Sequence, residues 1–67
     1  MKIGINNITK EMEGHYIRLR SNVNGQVWTG KVKAITIKPD RRRILFEDGV
    51  AVTAYQAFDA ILTYLDN

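Results

Sequence analysis

A mainly-β domain is predicted, a small antiparallel barrel of four to five strands with a short C-terminal helix. Three observations carry that expectation. Apolar and polar residues alternate around residues 16–20, 43–48 and 50–54, the period of a half-buried strand. Asn24-Gly25 and Asp48-Gly49 are tight-turn dipeptides set between such stretches. Finally, Ala54, Phe58, Ile61, Leu62 and Leu65 recur at helical spacing near the end of the chain.

The elements follow in order. Over the first thirteen residues two readings stand: Met1 to Ile5 as a short edge strand, or Asn7 capping a helix from Ile8 to Glu13 that ends on left-handed Gly14. From His15 the period is two, with Ile17 and Leu19 on one face and Tyr16, Arg18 and Arg20 on the other. Asn22 to Gly25 turns the chain into a second strand, Gln26 to about Lys38. Within it Trp28, Gly30, Val32 and Ala34 share a face before the apolar set moves to Ile35 and Ile37. Such a phase slip predicts a bulge or sharp bend near Ala34, the device by which short sheets close into barrels. Lys38-Pro39-Asp40-Arg41 is a type I turn. Arg43 to Asp48 is a third strand with Ile44 and Phe46 inward, and Val50, Val52 and Ala54 alternate as a fourth. These consecutive strands form a meander. For the tail, five helical matches and a capping box from Thr53 to Gln56 favour a helix, against three matches for a closing strand, Ala60 to Leu65.

Sixty-seven residues allow one domain, residues 1–67, and a hydrophobic content of 45% is too apolar for a disordered chain. With no cysteine, neither a disulfide nor a thiolate metal site is available to hold it, which fits a reducing, cytoplasmic location. No apolar run follows the N-terminus as in a signal peptide, and Ala51 to Leu65 is too interrupted to span a bilayer, so no membrane partner is expected.

Charge is distributed unevenly. Residues 1–13 sum to zero, residues 14–43 hold eight bases against Asp40 alone, and residues 44–67 hold four acids and no base. This asymmetry predicts an anionic partner. Arg18, Arg20, Lys31 and Lys33 fall at alternate positions of two consecutive strands, so they can share a sheet face and meet phosphates together. Tyr16, on the same face, can stack on a base, and Arg41, Arg42 and Arg43 extend the charge into the loop after Pro39. Trp28 fits either a stacking platform or the core, and its phase favours the core. Nucleic acid, DNA or RNA, is therefore the expected partner. The alternative is a small regulator or inhibitor that docks on an acidic protein surface, and homo-oligomerisation through exposed sheet edges is a related possibility. The bland alternative is that the outer face is simply solvated and that Lys and Arg on edge strands prevent sheet-to-sheet aggregation.

Catalysis is not expected. His15 is the one histidine and Ser21 the one serine, six residues apart across one short strand, and nothing in the sequence positions a carboxylate to orient His15. Glu47 and Asp48 point to opposite faces if they lie on a strand, so no metal site is read there, and no cofactor-binding loop is present.

With these strands in place the chain resembles SH3-like and Sm-like small barrels. Ile17-Arg-Leu19 followed by Asn24-Gly25-Gln-Val-Trp-Thr-Gly30-Lys-Val32 is similar to the Sm-like pattern of a strand, two glycines with four residues between them and a bent strand. Ile44-Leu-Phe-Glu-Asp-Gly49 resembles the third strand and turn of Tudor-like barrels. Ala51-Val52-Thr53, with Ala57, Ile61, Leu62 and Leu65 following, is similar to the end of the small crenarchaeal chromatin proteins. What these resemblances imply is an SH3-like barrel.

Overall fold

In the computed structural model, which describes residues 1–66, the chain forms one antiparallel sheet of six strands. The strands are β1 (Lys2–Gly4), β2 (Tyr16–Ser21), β3 (Val27–Ile37), β4 (Arg42–Phe46), β5 (Ala51–Ala54) and β6 (Asp59–Tyr64). Their order across the sheet is β1-β6-β2-β3-β4-β5. Strands β2 to β5 thus make the expected meander.

β3 belongs to both halves of the sheet. Its first half pairs with β2, from Tyr16 against Lys31 to Arg20 against Val27, and its second half pairs with β4. Between Val32 and Ala34 the β3–β4 register shifts by one, so Lys33 is the extra residue of a bulge, where the apolar phase slips in the sequence. Just before it, Gly30 lets the strand pass Phe46: a Cβ there would stand 3.2 Å from the ring's Cδ1.

Three expectations are corrected, the first being the strand count, six where four to five were expected, because Lys2–Gly4 and Asp59–Tyr64 both join the sheet. The tail is strand β6 instead of a helix, and the helical elements of the described residues are two three-residue 3-10 turns, Ile5–Asn7 and Lys10–Met12. Tyr55 to Phe58 is a turn, closed by the Phe58 N–H donating to the Tyr55 carbonyl at 2.9 Å, and Ala60 and Leu62 point inward. The helical spacing loses because β6 lies between β1 and β2 and both its edges find ladder partners, a tertiary gain that local periodicity cannot register. Nor does the sheet close into a barrel: its order begins at β1 and ends at β5, which do not pair.

The core lies within the bend. Ile17 and Leu19 of β2, Val32 and Ile35 of β3, Ile44 and Phe46 of β4 and Leu62 of β6 are all buried there. Ile8 and Met12, from the segment joining β1 to β2, are fully buried against them. Trp28 sits opposite Leu19 and is half-buried against this core, so it is on the face away from Arg18 and Arg20.

The segment before β2 also covers backbone. Beyond the bulge β3 has parted from β2, and the outward-turned groups of Ile35 are taken up by side chains: its N–H donates to Glu13 Oε2 at 2.7 Å and its carbonyl accepts from Lys10 Nζ at 3.0 Å. Lys10 and Glu13 are themselves 3.6 Å apart.

Candidate nucleic-acid interface

Alternation along β2 and pairing on both its sides determine which residues share its outer face, since directly opposed residues of antiparallel strands project the same way. One row runs Lys2, Ile61, Arg20, Val27 across β1, β6, β2 and β3. The next runs Thr63, Arg18, Thr29. A third places Leu65 and Lys31 on either side of Tyr16, with the Leu65 N–H donating to the Tyr16 carbonyl at 2.8 Å. The three rows hold Lys2, Arg18, Arg20 and Lys31, and Tyr16 is 51% exposed beside them.

Acidic groups stand only at the margins of this face. Asp59, opposite Gly4, sits at one end and its Oδ1 accepts from Asn22 Nδ2 at 3.4 Å. Glu47 adjoins Lys31 across the β3–β4 junction, its N–H donating to the Lys31 carbonyl at 2.9 Å. At the other end Asp66 accepts from the Tyr16 N–H at 2.9 Å and lies 3.3 Å from His15 Nδ1. The Tyr16 N–H, foremost, and His15 hold the Asp66 carboxyl below its ordinary pKa. The acidic last third of the chain thus partly borders the basic face instead of lying away from it.

Among the described residues the ion pairs are Lys10–Glu13, His15–Asp66 and Asp40–Arg41, so the four cations of the outer rows have no partner within 4.0 Å. Arg18 and Arg20 stand two strand residues apart, about 6.8 Å. At that separation two unit charges repel by about 0.6 kcal/mol in water, before screening. Grouping them is cheap, and an anion laid across the rows relieves the repulsion.

The remaining predicted residues are dispersed. Lys33 is exposed at the bulge, and Arg43 is exposed on the outer face of β4, between Thr36 and Thr53. Arg41 is turned onto Asp40 at 3.0 Å. Arg42 is directed to the interior side, opposite buried Ala54, where its Nη1 donates to the carbonyl of Ile8 at 2.7 Å and to that of Asn6 at 3.3 Å. Arg42 thereby ties β4 to the segment after β1. Sequence reasoning missed Lys2, whose place on the face depends on β6, and it missed the Asp66 carboxylate beside His15.

His15 also meets Tyr64 edge-on, with ring centroids 5.3 Å apart, while Ser21, at the far end of β2, is buried with its Oγ accepting from the Val23 N–H at 3.1 Å. The two are separated by the length of the strand. Among the described residues no three His, Cys, Asp or Glu side chains gather as metal ligands, and no helix is long and apolar enough to cross a membrane. Trp28, Val27, Thr29, Phe46, Asp48 and Val50 line a shallow groove where β3 passes the β4–β5 turn.

Comparison with protein-family models, curated proteins and solved structures finds no match to this chain. What stands is a small all-β antiparallel fold, with no family confirmed for it.

Proposed function

We propose that the protein is a non-catalytic binding module for nucleic acid, and that the outer face of β1, β6, β2 and the first half of β3 receives the phosphate backbone. The observation that supports this most directly is the grouping of Lys2, Arg18, Arg20 and Lys31 in three adjoining rows with no ion-pair partner among the described residues. Tyr16 supplies an exposed ring beside the cations for stacking on a base. Lys33 and Arg43, beyond the bend, extend the field. A kinship with SH3-like or Sm-like folds belongs to the same proposal. The contacts are electrostatic, so binding is sequence-tolerant.

Fluorescence anisotropy with labelled duplex DNA, single-stranded DNA and RNA over a salt series tests the reading. Four phosphate contacts on duplex DNA give a slope of about −3.6 in log affinity against log salt, at roughly −0.9 each. Replacing Arg18 and Arg20 by Ala removes about half of that slope. Absence of binding at low salt, or a slope indifferent to the double replacement, overturns it. Replacing residues 41–43 together is a poor test, because Arg42 holds the fold.

A second reading, docking on an acidic protein surface, is favoured by Val27 and Leu65, exposed aliphatic residues on the same face. It becomes the leading one if all three nucleic acids fail to bind.

A further inference from the structure

An open sheet has free backbone edges, and this chain treats them unequally. Along β1 the Met1 amine and carbonyl bond to Leu62, so the ladder's alternation turns the groups of Lys2 and Gly4 outward. The Gly4 N–H is then taken by Asn7 Oδ1 at 2.8 Å, and Lys2 brings a charge to the edge. The free stretch of β3 is covered at Ile35 by Glu13 and Lys10, as described above. β5 has no such cover. The Phe46 N–H donates to the Val50 carbonyl, so along the ladder Val52 and Ala54 bond back to β4 while Ala51 and Thr53 turn both N–H and carbonyl outward. Among the described residues no side chain or backbone group meets them.

The edge also lacks what keeps strands apart. Residues 49–58 contain no Asp, Glu, Lys, Arg or Pro, and the residues flanking β5, Val50 and Tyr55, are 45% and 58% exposed. An uncharged edge is self-complementary about a twofold axis, because no like charges are brought together there.

The geometry points to a second copy of this chain as the partner of β5, paired antiparallel so that Ala51 of each copy faces Thr53 of the other. That register uses the outward groups of Ala51 and Thr53 and no others, making four hydrogen bonds. It sets Val50 of one copy beside Ala54 of the other and joins two six-stranded sheets into one. Because β5 lies at the opposite edge from β1, both basic faces remain open, and the inference is independent of what those faces bind.

Sedimentation equilibrium of the whole chain across a micromolar-to-millimolar series tests it. The expected mass rises with concentration from 7.7 kDa towards twice that value. Thr53→Pro removes an N–H that β4 does not use, so it remains monomeric throughout with an unchanged circular dichroism spectrum. Amide hydrogen exchange on the unaltered chain serves if that variant unfolds: the Ala51 and Thr53 amides slow as concentration rises, while that of Lys2 does not. A chain monomeric at millimolar concentration overturns the inference. So does a dimer in which the Ala51 and Thr53 amides exchange freely.

Discussion

Arg42→Met keeps the apolar stem of Arg42 and removes its donors, so it isolates the tie between β4 and the segment after β1. The two bonds lost are unequal. Asn6 is exposed and its bond is 3.3 Å long, so water replaces the guanidinium there at little cost. Ile8 is fully buried, its bond to Arg42 is 2.7 Å, and water reaches that carbonyl poorly. A hydrogen bond from a charged donor contributes roughly 1.5–3 kcal/mol, and a buried acceptor left unsatisfied costs about 1–3 kcal/mol. The expected loss is about 2 kcal/mol, nearly all from Ile8. For a domain of this size that lowers Tm by roughly 8–16 °C. Urea unfolding followed by Trp28 fluorescence measures it, with the slope against urea unchanged if the native contacts are otherwise kept. Arg43→Met, on the exposed outer face, is the control and changes stability by under about 0.5 kcal/mol. Equal losses from the two variants would refute the assignment of Arg42 to the fold.

Gly30→Val brings a branched side chain against the buried Phe46 ring, where even a Cβ stands at 3.2 Å, and lowers stability by about 1–3 kcal/mol. Adding Phe46→Leu recovers part of that loss, a coupling read by a double-mutant cycle in urea. Asp66 has a depressed carboxyl pKa through the Tyr16 N–H, so its contribution is complete above the ordinary carboxylate range and is lost as pH falls through the folded value. The stability difference between the unaltered chain and Asp66→Ala therefore shrinks below about pH 4. A difference that grows on acidification would assign the effect to another group.

The meander from β2 to β5 was legible because each of its signals is local. Alternation marks Ile17, Leu19, Ile44 and Val52 as inward, and Gly25 and Gly49 take the positive φ that their turns need. The slip near Ala34 became the bulge at Lys33 for the same reason. β6 was illegible because Phe58, Ile61, Leu62 and Leu65 satisfy a helical template, and what decides against it is two partner strands distant in sequence. The site divides along the same line. Tyr16, Arg18, Arg20 and Lys31 follow from period two and one hairpin register. Lys2 joins them only through β6, and three adjacent arginines look alike until the fold sends one to Asp40, one to the Ile8 carbonyl and one to solvent.

The position of β6 bears on how the molecule assembles. β1 pairs with β6 alone, and Lys2 against Ile61 joins residues far apart in sequence. Loop-closure entropy favours short closures first, so the hairpins from β2 to β5 form before β1 has any partner. A chain still emerging from the ribosome can hold that meander but leaves the outer edge of β2 bare until residues 59–64 arrive. β6 then inserts between β1 and β2, and a truncation before Asp59 would cost two ladders at once.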